Sequence, residues 1–134
     1  MAIYGVGAFY EDDVSSSFIA NNLVGVGWSY NRAADLHQFM RSLKVGDIVY
    51  IKAARPGQNI TVKAIGLIID DQIRDDANSG GLVHCGRNVR WASTTTFTLP
   101  PRSGKNNVQN NTLYEEFDPQ AQTEIMARII STLP

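Results

Sequence analysis

Two histidines and one cysteine are the side chains best suited to catalysis in this sequence. His84 and Cys85 are adjacent, and neighbours in a regular strand face opposite ways, so they cannot converge on one metal ion. One cysteine and a second histidine, His37, are too few for a zinc site. The same adjacency opposes a Cys–His nucleophile pair. His37 follows Leu36 and precedes Phe39 by two, both on the apolar stripe of a predicted helix. It is therefore expected on the polar side, as a surface histidine. The acidic pairs Asp70-Asp71, Asp75-Asp76 and Glu115-Glu116 match no EF-hand spacing and read as solvated carboxylates. Gly5-Val-Gly7 and Gly25-Val-Gly27 lack the third glycine and helix start of a dinucleotide fingerprint, and Ser103-Gly-Lys105 lacks the upstream glycine of a P-loop. Nothing assembles a nucleophile, a base and an orienting group. No enzyme, metal or cofactor is expected.

Binding chemistry is better represented. Between residues 32 and 63, Arg32, Arg41, Lys44, Lys52, Arg55 and Lys63 stand against Asp35 and Asp47, a local +4. Between residues 87 and 105, Arg87, Arg90, Arg102 and Lys105 meet no acid, another +4. Acidic residues gather at 11–13 and 70–76. The basic segments either share one face, which would suit phosphates, or are scattered over the surface. Trp28 and Tyr30 sit where a predicted strand runs into a helix, at the kind of strand end that forms a pocket mouth. Flat aromatic faces beside amide and basic groups suit a nucleobase, which stacks on the ring while its edge is read by hydrogen bonds. Both tryptophans could equally be core residues, Trp91 above all, between Arg90 and a threonine-rich strand.

These residues need elements to hold them. Ile3–Phe9 and Leu23–Trp28 read as short strands, with an apolar turn at Phe18–Leu23 between them. Leu36, Phe39, Met40 and Leu43 fall at helical spacing over residues 32–43, with Asn31 as the N-cap. Asp47–Lys52 and Ile60–Ile69 form a hairpin about the Pro-Gly turn of residues 53–58. Residues 70–82 read as loop, Val89–Leu99 as a strand and Pro100–Asn111 as a long loop. Asp118 and Pro119 open a final helix with Ile125, Met126, Ile129 and Leu133 on its buried stripe. The order predicts an α+β fold: a small, curved sheet or open barrel with flanking helices.

The chain has 134 residues, 43% of them hydrophobic, and a formal net charge of −1. Those figures suit one domain over residues 1–134 and argue against global disorder and a uniformly basic coat. With one cysteine, no basic N-terminal region and no apolar run of about 18 residues, the expected setting is the cytoplasm, away from membranes.

Trp28, the run Met40-Arg-Ser-Leu-Lys-Val-Gly-Asp47, the strand Ile48-Val-Tyr-Ile-Lys52, the strand Ile65-Gly-Leu-Ile-Ile69 and Arg87-Asn-Val-Arg-Trp91 together resemble the central pattern of EVE domains. These belong to the PUA-like superfamily and have relatives fused to modification-dependent restriction enzymes, a defence setting. The resemblance covers residues 24–92. It implies a strongly curved, mostly antiparallel sheet and binding of a modified base, often an extruded cytosine derivative, in an aromatic cage. By position Trp28 is a cage wall, joined by Ser29, Tyr30 and Trp91. Together with the basic residues this gives a ligand-binding set of Trp28, Ser29, Tyr30, Asn31, Arg32, Lys44, Lys52, Arg90 and Trp91. The expected activity is non-enzymatic recognition of a modified nucleobase in DNA or RNA. The alternative is capture of a free nucleotide or cyclic oligonucleotide by a sensor or sequestering protein, and a small hydrolase or nuclease is a third reading. A homodimer is compatible with each.

Overall fold

The computed structural model describes residues 1–9, 12–54, 58–101 and 111–134. Among these lie β1 (Ile3–Gly7), α1 (Ser15–Asn21), β2 (Leu23–Val26), α2 (Ala34–Ser42), β3 (Ile48–Ala53) and β4 (Ile60–Arg74). β5 (Cys85–Ser93), β6 (Phe97–Leu99), β7 (Leu113–Glu115) and α3 (Pro119–Ile130) follow. The strands form one sheet in the order β2-β5-β4-β3-β1-β7, with β6 paired to β4. β1 and β3 run parallel, and every other named pair is antiparallel. Among the described residues the sheet does not close: β2 and β7 are the two ends of its strand order. The expected α+β class, a mostly antiparallel sheet with flanking helices, is therefore observed.

Alternation along the central strands divides the core. In β3, Val49 and Ile51 join Phe18 of α1 and Met40 of α2 on one face. Ile48 and Tyr50 join Ala121 and Ile125 of α3 on the other. Covered on both sides, β3 is buried from Ile48 to Lys52, which is why its sequence is almost continuously apolar. Each fully buried aliphatic side chain contributes about 1.5–3 kcal/mol.

Between α2 and β3, Gly46 takes a left-handed φ of 92°, a conformation glycine adopts without steric cost. Asp47 then turns inward, where its carboxylate accepts from the Ala2 amide at 3.0 Å and the Lys44 amide at 2.7 Å. The Lys-Val-Gly-Asp run thus fastens the end of α2 to the start of β1. On the other side of α2, the buried Arg87 guanidinium donates through Nη1 to the carbonyls of Met40 (3.2 Å), Arg41 (3.3 Å) and Leu43, and through Nη2 to Asp70 O (2.9 Å). A cation at a helix C-terminus satisfies its orphan carbonyls and complements the helix dipole.

Several elements differ from expectation. α1 replaces the turn at Phe18–Leu23, with Asp13 accepting from both the amide and hydroxyl of Ser15. α2 begins at Ala34 and its N-cap is Ala33, not Asn31; in the turn that leads into it, Ser29 O accepts from the amides of Arg32 and Ala33. β4 continues to Arg74, since its far end finds a partner in β5. The segment expected as one strand over 89–99 is divided between β5 and β6, and β7 was not expected. α3 is capped as expected, Asp118 accepting from the Ala121 amide at 2.9 Å, and Ile125 is buried. Leu133 lies beyond the helix and is 63% exposed, so it is no part of the buried stripe. The Pro-Gly turn at residues 55–57 and most of the expected loop, residues 102–110, lie outside the described residues, as do Arg55, Arg102 and Lys105.

Candidate functional site

β2 ends at Val26, and the loop to α2 carries Trp28, Ser29, Tyr30, Asn31 and Arg32. His37, expected on the surface, is buried, because α2 packs against both β2 and β5 and leaves little free polar side. Its Nε2 lies 2.6 Å from Trp28 O. A carbonyl oxygen only accepts, so Nε2 carries the proton of that bond. Tyr30 meets the His37 ring edge-on, with centroids 5.6 Å apart and planes at 87°. One buried imidazole therefore anchors a loop that presents two exposed aromatic rings, Trp28 and Tyr30.

Trp28 and Arg32 line a groove of about 640 Å³. The Arg32 guanidinium lies 5.3 Å from the centroid of the Trp28 ring. Leu36 and Phe39 of α2 form an apolar wall, Asp35 brings a carboxylate, and Asn111, Thr112 and Leu113 at the start of β7 form the opposite side. The result is an exposed π-face, a cation, a carboxylate acceptor and an amide around one concave surface. Ser29 has a backbone role there, its carbonyl closing the turn that precedes α2, and Asn31 is exposed beside it.

The remaining expected residues stand elsewhere. Trp91 is taken up by packing: its indole Nε1 donates to Ile19 O at 3.0 Å, and its ring covers Gly66, where a Cβ would come within 2.9 Å of Cε3. It does not line the Trp28 groove. Arg90 is exposed on β5 and Lys44 is exposed in the turn after α2, neither in the groove lining. Lys52 is buried and lines a different cavity, of about 680 Å³, between β1, β3 and the start of β4. Lys63 forms an ion pair with Asp13 in that same cavity. Arg87 is a helix cap. The two basic segments thus contribute fewer surface cations than their formal charges imply.

Nothing in the sequence marked Asp35, Asn111 or Thr112 as groove residues. The helical phase of Asp35, one residue before Leu36, was the available signal; Asn111 and Thr112 arrive through the pairing of β7 with β1, from far along the chain. Among catalytic candidates, His84 is exposed while Cys85 is buried, and burial pushes the Cys85 thiol up from its ordinary value. Among the described residues no three His, Cys, Asp or Glu side chains are placed to hold a metal ion, and no helix is long and apolar enough to cross a membrane.

No curated protein matches the chain. Among solved structures, it is similar to Rpa0253 from Rhodopseudomonas palustris, a structural genomics target determined by NMR. The similarity extends over 100% of this chain and 97% of that one, at 12% identity and a TM-score of 0.47. The model of a domain of unknown function, DUF8426, matches residues 29–116. That match takes in the Tyr30–Arg32 loop, α2 and every strand from β3 to β7, and it identifies the chain as a member of the DUF8426 family.

Proposed function

We propose that this protein is a non-enzymatic module that binds a nucleobase, in the first instance a modified base presented in DNA or RNA, in the Trp28 groove. The supporting observation is an exposed tryptophan held over a concave surface with Arg32 beside its ring. Stacking of a base on such a ring is worth about 1–3 kcal/mol and tolerates any base. Edge recognition would fall to Asp35, which accepts from an exocyclic amine, and to Asn111, which both donates and accepts. The phosphate contacts are assigned to Arg32, with Lys44 and Arg90 reaching a longer strand from outside the groove. This reading keeps the resemblance to EVE domains and the strongly curved PUA-like sheet that it implies, together with the cytoplasmic setting expected from the sequence, and it is compatible with a homodimer.

One observation favours the second reading, a free nucleotide or cyclic oligonucleotide. Among the described residues Arg87 and Lys52 are buried and Lys63 is paired, which leaves little continuous positive surface there for a polymer track. Salt separates the two. A polymer reader loses affinity steeply as salt rises, because each neutralised phosphate releases counterions, whereas a ligand with few phosphates responds weakly. The decisive experiment is Trp28→Ala, assayed against modified-base oligonucleotides and free cyclic nucleotides. At least a tenfold loss is expected, as about 1.4 kcal/mol or more of stacking disappears. Unchanged affinity in a folded variant would reject the groove as the base site.

A further inference from the structure

Asp35 is the unpartnered acid of the Trp28 groove. Other carboxylates that face the protein are engaged: Asp47 accepts from the amides of Ala2 and Lys44, Asp70 from Gln72 and Asn88, Asp118 from Ala121, and Asp13 from Ser15 and Lys63. Among the described residues the Asp35 carboxylate has no ion-pair or hydrogen-bond partner. It stands in the first turn of α2, where the positive end of the helix dipole favours a negative charge. Asp35 is exposed and lines the groove together with Trp28, Arg32, Leu36 and Phe39, and Asn111 brings an amide to the same concave surface.

A carboxylate offers two acceptors side by side and no donor. Among the common bases only guanine presents two adjacent donors on its Watson–Crick edge, N1–H and the N2 amine. Adenine and cytosine set a ring-nitrogen lone pair beside their exocyclic amine, and uracil and thymine flank N3–H with two carbonyls. Each of these turns a lone pair toward the carboxylate and is repelled by it. Given base binding in the Trp28 groove, on which this assignment rests, we infer that the Asp35 carboxylate makes the groove selective for guanine, free or in a strand, including a guanine whose modification leaves that edge intact. Trp28 supplies a stacking face that suits every base, and Asp35 supplies the choice among them. In this assignment the Asn111 amide serves O6, the acceptor at the end of the same edge. Hydrogen bonds to an ionised acceptor are the strong ones, and the apolar wall of Leu36 and Phe39 keeps bulk water from one side of them. A base that cannot satisfy the acceptor pair loses its contacts and leaves a desolvated charge behind.

The test titrates the 5′-monophosphates of guanosine, inosine, adenosine, cytidine and uridine calorimetrically into the whole protein at pH 7. GMP is expected to bind about tenfold or more tighter than AMP, CMP or UMP, and about three- to tenfold tighter than IMP, which lacks only the N2 amine. Thymidine octamers with one central guanine, hypoxanthine, adenine or cytosine are expected to rank in the same order. Tighter binding of the guanine octamer than of GMP identifies a strand as the source, and the reverse a free nucleotide. Asp35→Asn exchanges one acceptor for a donor, so the ratio of GMP to xanthosine monophosphate affinity is expected to fall about tenfold or more, because the C2 carbonyl of xanthine accepts from the new amide. Should that variant fail to fold, the comparison of GMP with IMP on the parent protein decides alone. If Trp28→Ala weakens binding but guanine is not preferred, or if folded Asp35→Asn leaves the ratio unmoved, the guanine assignment is overturned and the base-binding reading stands. If no mononucleotide binds at about 10 mM and no octamer at about 1 mM, or if Trp28→Ala leaves binding unchanged, both fall.

Discussion

Burial lowers the Lys52 ammonium to about 8 from an ordinary 10.5, so the folded state tolerates the charge less well than the unfolded chain does. Between those values the unfolded chain holds more protons, and stability rises with pH. Asp13, held at about 2 by hydrogen bonds from Lys63 and Ser15, stays ionised throughout that window. Tyr4, raised by burial and then by Asp47 and Glu115, acts in the opposite direction only above the ordinary tyrosine range. Urea unfolding should therefore show a gain in stability from about pH 7.5 to about 9.5. In Lys52→Met that gain should vanish, with higher stability than the parent at pH 7.5. His37 belongs to this scale too. Its bond to Trp28 O holds the loop from beneath, so His37→Ala should weaken ligand binding about three- to tenfold while Trp28 remains, with about 1 kcal/mol lost from stability. Calorimetry and urea unfolding on the same variant separate the two effects.

Among the elements, α2 shows most clearly what can be read from one dimension. Its stripe of Leu36, Phe39, Met40 and Leu43 was legible because helical spacing is local, and so was the Asp118-Pro119 start of α3. Asn31 misled because a capping residue type is present two residues before Ala33, the position from which the helix opens. α1 was hidden because seven residues with Phe18 and Ile19 as their large apolar side chains carry no full period. β7, three residues long, exists through its pairing with β1 from the opposite end of the chain. Arg87 read as a surface cation, since nothing in the sequence reveals that the end of α2 will abut β5. Its replacement leaves several helix-terminal carbonyls buried without a donor. Arg87→Met should cost about 2–4 kcal/mol, visible as a shift of the urea midpoint with little change in slope. Arg87→Lys should recover only part of this, because an ammonium cannot span the same fork of carbonyls.

At the scale of the molecule, the near-neutral formal charge conceals where the charges sit. Some cations are structural, some line cavities and some face solvent, so net charge was a poor guide to partners. The salt dependence of base binding should accordingly be shallow for a free nucleotide and steep for a strand, and a titration at about 50 and 200 mM salt distinguishes them. The place of β1 has a further consequence. It lies between β3 and β7, and pairs Tyr4 with Glu115, although it precedes the family match at residues 29–116. A fragment trimmed to that match would lose β1 and β2, strand partners of β3, β7 and β5, and should give a circular-dichroism spectrum of an unfolded chain. During synthesis the same connectivity delays completion of the sheet: β1 emerges early and acquires its last neighbour only after residue 115 leaves the ribosome. Until then an apolar strand edge stands open, sensitive to whatever shields nascent edges.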